Sequence, residues 1–173
     1  MTVRIQIHAT HELPGALART IHRWQRQNFP AHGGGFVWAR PQWHVTVWQG
    51  EEPVSYVGVL QRQGTVSGEP VTFGGIGWVV TPLEHRGRGY ASLALARAAD
   101  FMRDPVGAEF GLLITGESLI PFYGRLGWRR VSNPLLVEQP GRGRVRLEYV
   151  TMVLPLGGRP WPEGEIDLRG LPW

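Results

Sequence analysis

Cysteine and lysine are both absent from the 173 residues of this chain. Without cysteine there is no disulfide, no thiol nucleophile and no thiolate ligand for zinc. All 18 cationic side chains are therefore arginine, which stays protonated at ordinary pH, so the sequence pI is 10.3 although the net charge is only +4. The modest net charge favours an ordinary protein surface over a surface that binds nucleic acid. The absence of thiols is compatible with the cytoplasm, where we expect the protein.

Long apolar runs are also missing. No stretch approaches the roughly 18 residues that a membrane span needs, and we expect no secretory signal because residues 1–9 lack an apolar core. Hydrophobic residues make up 42% and charged residues 18%, a balance typical of a globular chain. We expect one domain over residues 1–173, ending in a Gly/Pro-rich tail over 157–173. We expect no metal either, since the histidines show no ligand spacing.

The N-terminal half predicts a strand, a helix and three further strands. Residues 3–7 alternate as in a short strand, and apolar residues recur at helical spacing from about residue 12 to residue 28. Pro30 and the glycines at 33–35 are typical of a helix end and a mobile loop. Three alternating runs joined by short polar turns then predict an antiparallel meander. These runs cover 43–48, 54–66 and 71–81.

The C-terminal half mixes helices and strands. We expect one helix from the glycine-rich segment at 86–91 to about residue 103, because its apolar residues form a helical stripe. A second, short helix is expected over 118–126, with Ser118 as its candidate cap. Strands are expected at 111–115, from 128 to 131, and at 145–156.

Three glycines interrupt the third strand of the meander, at Gly74, Gly75 and Gly77. Glycine weakens strand pairing and usually marks a bulge or a close approach of another group to the backbone. Two interpretations therefore remain open here. One is a bulged corner of the sheet, and the other is a ligand that lies against the strand.

The segment Arg86-Gly87-Arg88-Gly89-Tyr90-Ala91 joins this strand to the following helix. Its small residues allow a ligand to approach the backbone, and the first N–H groups of a helix have no internal partners. The positive end of the helix dipole favours an anion at the same point, and arginine adds charge-assisted bonds to phosphate oxygens. The segment therefore indicates a site for a diphosphate.

With these motifs the sequence resembles the GNAT superfamily of N-acetyltransferases. Residues 86–91 match that family's cofactor loop, Gln/Arg-x-x-Gly-x-Gly/Ala, and Phe122-Tyr123-Gly124-Arg125-Leu126-Gly127-Trp128 is similar to its Tyr-x-x-x-Gly-Phe segment. Within the superfamily the chain looks most similar to aminoglycoside 2'-N-acetyltransferases, through the spacing over 60–87 and the tail with Asp167-Leu168-Arg169 and Trp173. The resemblance implies an α/β fold with a central, mixed and mostly antiparallel sheet flanked by helices.

The resemblance also implies acetyl-CoA as the co-substrate. Its pantetheine arm would pair with the third strand through a backbone N–H of Thr81, with Val79 two residues earlier, while counting from Pro82 selects Val80 instead. The cofactor loop would supply the diphosphate site. Its residues are Arg86, Gly87, Arg88, Gly89, Tyr90 and Ala91. A small-molecule amine and a second copy of the chain are the other partners that the resemblance implies, whereas nucleic acid and membranes are not expected.

The implied reaction is direct attack of the amine on the thioester. Tyr123 stands where the family has the proton donor to the departing thiolate, although a tyrosine beside Phe122 also suits a core position. The general base remains open, with Glu117 as the preferred candidate. Glu84, His85 and Asp167 are the other candidates.

The acceptor site is the least defined part of the sequence. Trp78 and Trp173 are candidates to line it, although tryptophans usually belong to the core, and Asp167 is a further candidate substrate contact. Two positions depart from the aminoglycoside group, because Gly77 and Leu171 stand where those enzymes carry acidic residues. We therefore expect N-acetyltransfer to a primary amine of a small molecule, aminoglycoside-like or not. The alternative is a catalytically weak GNAT module that holds CoA as a sensor or interaction partner.

Overall fold

The computed structural model describes residues 2–29 and 35–173. The loop predicted from Pro30 and the glycine run thus lies mostly outside the described residues. The helices are α1 (Gly15–Asn28), α2 (Tyr90–Arg103) and α3 (Ile120–Gly124). The strands are β1 (Val3–Ala9), β2 (Trp43–Gln49), β3 (Glu52–Val66), β4 (Glu69–Val80), β5 (Phe110–Thr115), β6 (Arg129–Val131), β7 (Leu135–Gln139), β8 (Gly143–Arg146), β9 (Val150–Pro155) and β10 (Ile166–Asp167).

The described strands form one mixed sheet. Its main path runs β6-β9-β5-β4-β3-β10-β7-β8, and β2 joins β3 along its first half with β1 outside it. The predicted meander is confirmed, because β2, β3 and β4 pair in antiparallel register. The β4–β5 pair is parallel, and α2 makes the crossover between the two strands.

The helices cover opposite faces of the sheet. Tyr56 and Val80 pack with α1, whereas their chain neighbours Val57 and Val79 pack in the cluster that includes α2 and α3. Since successive strand residues point to opposite faces, α1 and α2 must lie on different sides. None of the helices within residues 2–29 and 35–173 has the length and apolar character needed to cross a membrane.

The predicted strand over 145–156 is wrong as a single element. The chain forms β8 against β7, leaves the sheet at Leu147–Tyr149, and then forms β9 against β5 and β6. Because these partners lie at opposite ends of the sheet path, one straight strand cannot pair with both. The prediction also missed β7 and the short strand β10 in the C-terminal tail.

The short helix predicted over 118–126 is also smaller than expected. A 3₁₀ turn covers Glu117–Leu119 and α3 follows over five residues, with Pro121 in its first turn. No side chain caps either segment, so Ser118 does not act as a cap.

The glycines of β4 make room for side chains of the chain itself. A Cβ on Gly74 would lie 2.5 Å from the Met102 sulfur, and one on Gly75 would lie 2.5 Å from the Trp173 ring. On the same face as Gly75, a Cβ on Gly77 would lie 3.3 Å from the Trp173 carbonyl carbon. Close approach to the strand backbone therefore occurs at Gly75, where the approaching group is the Trp173 side chain and not a ligand.

The C-terminal segment is tied to the sheet by hydrogen bonds. The Trp173 indole N–H donates to the Leu112 carbonyl oxygen at 2.9 Å, and the ring is 3% exposed. Arg62 donates to the carbonyl oxygens of Leu168 and Leu171, both at 3.3 Å, and its guanidinium lies 5.6 Å from the Trp173 ring centroid. Burial lowers the pKa of Arg62. Carbonyl oxygens and an aromatic face thus solvate a cation that has lost water.

A polar chain crosses the α1 face of the sheet. The Thr10 hydroxyl donates to the carbonyl oxygens of Pro41 and Gln42, so its oxygen accepts from His44 Nε2 at 3.0 Å. His44 Nδ1 is then unprotonated and accepts from the Tyr56 hydroxyl at 2.9 Å. Burial, and secondly the nearby His8, lower the pKa of His44 to about 4. His44 is therefore neutral in the folded protein near pH 7.

Replacing Gly75 by alanine should lower the free energy of unfolding by about 1–3 kcal/mol, because the added methyl group overpacks the contact with Trp173. Gly116→Ala is the control, since no described heavy atom lies within 4 Å of that Cβ position and its φ is −91°. Urea denaturation followed by tryptophan fluorescence measures both. Equal stability of the two variants would contradict the packing of Trp173 on β4.

The free energy of unfolding should also fall as the pH decreases from about 6.5 to about 4. Folding lowers the pKa of His44, so over this pH range the unfolded chain binds a proton at His44 and the folded chain does not. Lowering the pH therefore stabilises the unfolded state relative to the folded state. Urea denaturation across the window should show a smaller decrease in His44→Asn than in the parent. His22→Asn, an exposed histidine on α1, is the control and should keep the parental slope. A parental slope in His44→Asn would contradict the assignment.

Candidate active site

The strands β4 and β5 separate after a short shared ladder. They pair only from Phe73–Phe110 to Ile76–Leu113, although β4 continues to Val80 and β5 to Thr115. Beyond the ladder β4 keeps only β3 as a neighbour, and β5 keeps only β9. The facing edges of both strands therefore carry backbone N–H and C=O groups that no described strand uses. The gap between the two strands beyond the ladder is called the opening below.

A bulge in β4 produces this separation. Gly77 pairs with Gly58, but the next pair is Val80 with Tyr56, so β4 has one extra residue within that interval. Trp78 lies in the bulge with a φ of 59°, a value that tryptophan rarely adopts. Bulges bend a strand and interrupt its pairing, which directs the end of β4 away from β5. The bulged corner, which is the first of the two interpretations of the β4 glycines, is thus confirmed, one residue beyond Gly77.

The predicted cofactor loop starts α2 at the wide end of the opening. Gly87 and Gly89 have φ values of 75° and 80°, and Gly89 is the residue that precedes α2. No described heavy atom lies within 4 Å of either Cβ position, so glycine is required here by backbone conformation and not by crowding. The first N–H to bond inside the helix is that of Leu93, to the Gly89 carbonyl oxygen at 3.0 Å. The preceding N–H groups of the loop and first turn are left for an anion.

The two arginines of the loop differ in their surroundings. Arg86 turns back, donating from Nε to the Thr81 carbonyl oxygen at 2.9 Å and from its guanidinium to Asn28 at 3.3 Å. It braces the loop against the end of β4 and against α1. Arg88 is exposed and has no hydrogen bond or ion pair within the described part of the chain. Arg88 is therefore free to bind a phosphate.

Tyr90 contributes its backbone to the loop while its side chain anchors the helix. The ring is 7% exposed, and its hydroxyl donates to Gln49 at 2.9 Å. Ala91 follows in the first turn, and no acidic residue occurs in that turn. The start of α2 thus remains electropositive on its outer side.

Tyr123 lies on the β5 side of the opening, in α3, which follows β5 in the chain. Its ring packs against Phe122 and Trp128 at centroid distances of 5.1 and 6.4 Å, and it shares a buried cluster with Val79. Burial raises the pKa of the hydroxyl to about 12, so the group is a proton donor at neutral pH. It forms no hydrogen bond to any residue that the structure describes.

The candidate general bases lie in surroundings that suit proton transfer less well than those of Tyr123. Both carboxylate oxygens of Glu117 accept from Arg130, at 2.9 and 3.0 Å, on the surface. Arg130 would have to release the carboxylate before Glu117 could accept a proton. His85 is buried beside the loop with Nε2 3.3 Å from Glu52, and Glu84 precedes it on the exposed side of a 3₁₀ turn.

Of the three predicted acceptor contacts, Trp78 lies at the bulge, Trp173 is a buried core residue beside it, and Asp167 lies elsewhere. Trp78 is part of the bulge, and Trp173 lies on the same face against Gly77. Asp167 is on β10, paired with Thr65 near the end of β3 that is remote from Tyr56 and Val80. Its carboxylate binds Arg144 and the Arg169 backbone N–H there, so it does not join the cofactor loop.

The sequence did not reveal a cavity between α1 and the sheet. This α1 cavity has a volume of about 570 Å³ and lies between Leu13 and Ile21, the segment 36–41, and Trp78 of the bulge, with His44 on its floor. Trp78 is the residue that it shares with the bulge, on the face of the sheet opposite α2. The only sign of it in the sequence was the apolar stripe of α1, because the other lining residues come from distant parts of the chain.

Comparisons with solved structures agree with this architecture. The E. coli GNAT family N-acetyltransferase YhbS, crystallised with CoA, matches at 18% identity and a TM-score of 0.64, covering 98% of this chain and 92% of that one. An acyl-CoA N-acyltransferase from Pseudomonas aeruginosa matches at 18% identity and a TM-score of 0.62 (88% and 99% covered). ElaA from E. coli matches at 17% identity and 0.61 (88% and 99% covered).

Identities this low show a shared fold only. No curated protein matches the sequence. The family model described as an acetyltransferase (GNAT) domain, however, matches residues 31–131, which is more than half of the chain and contains the β4 bulge, the loop and α3. The chain therefore belongs to the GNAT acetyltransferase domain family, and its sheet with flanking helices is the GNAT fold.

Proposed function

We propose that the protein transfers an acetyl group from acetyl-CoA to a primary amine of a small molecule. The observation that carries this proposal is the opening between β4 and β5, with the start of α2 at its wide end. A relative of the same fold was crystallised with CoA, which is consistent with such an opening as a CoA site. The aminoglycoside subgroup is not part of the proposal.

In this proposal the diphosphate of CoA binds the N–H groups of residues 87–91 and the Arg88 guanidinium. The pantetheine arm runs along the edge of β4 that β5 has left, where the backbone of Val79, Val80 and Thr81 offers the pairing groups. Arg86 supports the loop through Thr81 and does not need to touch the cofactor. The thioester then lies beside the bulge, between β4 and Tyr123.

The chemistry is a direct transfer. The neutral amine attacks the thioester carbonyl carbon, its nitrogen forms the new C–N bond, and a β4 N–H stabilises the oxyanion. The C–S bond then breaks, and the CoA thiolate takes the proton of the Tyr123 hydroxyl. The amine gives up one proton to a base, for which Glu117 through water remains our candidate. That proton finally restores Tyr123, so amide and free CoA thiol are the products.

A CoA-binding sensor or interaction module is the second candidate function. The pairing of Glu117 with Arg130 and the glycine at position 77 favour it, because neither provides a ready base. Tyr123, at the position where the resemblance implies the proton donor, favours catalysis. Thiol release from acetyl-CoA with a panel of amines separates the two, since a sensor binds CoA without amine-dependent release.

Arg88→Ala should weaken CoA binding by about tenfold or more, because a charge-assisted hydrogen bond contributes about 1.5–3 kcal/mol. Isothermal titration calorimetry with CoA measures the effect. Arg97→Ala is the matched control, since Arg97 is exposed on the same helix farther from the loop. The same affinity for both variants would exclude Arg88 as a phosphate ligand.

Tyr123→Phe should reduce kcat by about 100-fold while leaving the affinity for acetyl-CoA unchanged, because a positioned general acid contributes roughly 10²–10⁴ in rate. Steady-state thiol release and calorimetry give the two quantities. Tyr149→Phe removes the same atom from a tyrosine that is 43% exposed and should keep the parental kcat. Unchanged turnover in Tyr123→Phe would remove the residue from the mechanism.

A further inference from the structure

The chemistry of the α1 cavity restricts the amine that it can hold. At about 570 Å³ the cavity is within the ~300–1,000 Å³ of typical small-molecule sites. Because Trp78 belongs both to the cavity wall and to the β4 bulge, a molecule in the cavity lies next to the point where the proposed thioester would be attacked.

The walls of the α1 cavity are largely aromatic and aliphatic. Phe36 and Trp38 meet edge to face at a centroid distance of 6.5 Å, and Trp78, whose indole N–H donates to the Ala39 carbonyl oxygen at 3.5 Å, also lines the cavity. Leu13 and Ile21 of α1 complete the apolar surface. Such walls gain free energy by burying an apolar or aromatic body.

The charges around the α1 cavity have one sign. No lining residue within the described chain carries a carboxylate, whereas Arg40 and His22 stand exposed at the mouth. Arg40 has neither an ion pair nor a hydrogen bond to any described residue, and Arg142 adds a guanidinium 5.5 Å from the Phe36 ring centroid. A polycation would be repelled here, while an anionic group would find an unpaired arginine.

The floor of the α1 cavity adds no charge. His44 is neutral, and both of its ring nitrogens are already engaged, by Thr10 and Tyr56. An uncharged floor disfavours an ammonium ion and favours the neutral amine that the attack requires.

The carboxylates that line a groove of this chain lie elsewhere. Glu138, Glu165 and Asp167 line a groove near the end of β3 that is remote from the cofactor loop, together with Arg144 and Arg169, and Asp167 is already paired with Arg144. An amine bound there could not reach a thioester at the β4 bulge. The acidic residues of this chain therefore do not make the α1 cavity an aminoglycoside site.

We propose that the α1 cavity binds the acceptor, and that this acceptor is an amine with an aromatic or branched apolar body and a carboxylate, as in an apolar α-amino acid. The body would lie against Trp38 and Trp78, the carboxylate would pair with Arg40, and the amine would point toward the bulge. This inference rests on the proposed acetyl transfer and specifies its substrate class.

The test compares four acceptors in the thiol-release assay with acetyl-CoA. L-Phenylalanine and L-tryptophan should give kcat/KM at least tenfold above that of phenethylamine, which lacks the carboxylate, and kanamycin should give no release above background. Arg40→Gln should lower kcat/KM for the two amino acids about tenfold and leave phenethylamine unchanged. Arg26→Gln, an exposed arginine of α1 outside the cavity, should leave all values at the parental level.

Higher kcat/KM for kanamycin or phenethylamine than for the amino acids would overturn the inference, as would an equal effect of Arg40→Gln on all acceptors. Calorimetry of L-phenylalanine with the CoA-bound protein separates failure of the inference from failure of the proposed function. Binding that Arg40→Gln weakens, without thiol release from any amine, would support the cavity assignment and contradict acetyl transfer. Thiol release from an amine, with no binding of either amino acid, would contradict the cavity assignment alone.

Discussion

The extra residue in β4 at Trp78 is the constraint on which the candidate site depends. Strands that stay paired satisfy each other's backbone groups and leave no room for a ligand. Because the bulge ends the β4–β5 ladder after Ile76 and Leu113, two strand edges remain open inside an otherwise complete sheet.

A strand with an unpaired edge needs support from side chains, and β4 is packed by other parts of the chain on both of its faces. Met102 of α2 fills the space over Gly74, and the C-terminal Trp173 fills the space over Gly75 on the other face. Arg62 donates hydrogen bonds to the segment before Trp173, and these bonds fix the C-terminal segment against the sheet. The glycines of β4 thus let two side chains support the strand closely just before it bends.

The sequence predicted those elements whose formation depends on residues only a few positions apart. The β2–β4 meander and the cofactor loop follow from alternation, turn residues and glycine, which act over a few positions. The break at Leu147–Tyr149 could not be predicted, because it depends on which distant strands receive β8 and β9. The pairing of Glu117 with Arg130, and the assembly of Trp38 and His44 around one cavity, are likewise products of tertiary contact.

In our proposal the cofactor lies in the opening between β4 and β5, the acceptor lies in the α1 cavity, and the two meet at the bulge. The most direct measurement is a crystal structure of the protein with acetyl-CoA. Our account predicts the diphosphate within hydrogen-bonding distance of the backbone N–H groups of residues 87–91, with the pantetheine between β4 and β5 and the acetyl group beside Trp78. A bound acetyl-CoA that leaves the β4–β5 opening empty, or no binding at millimolar concentration, would contradict it.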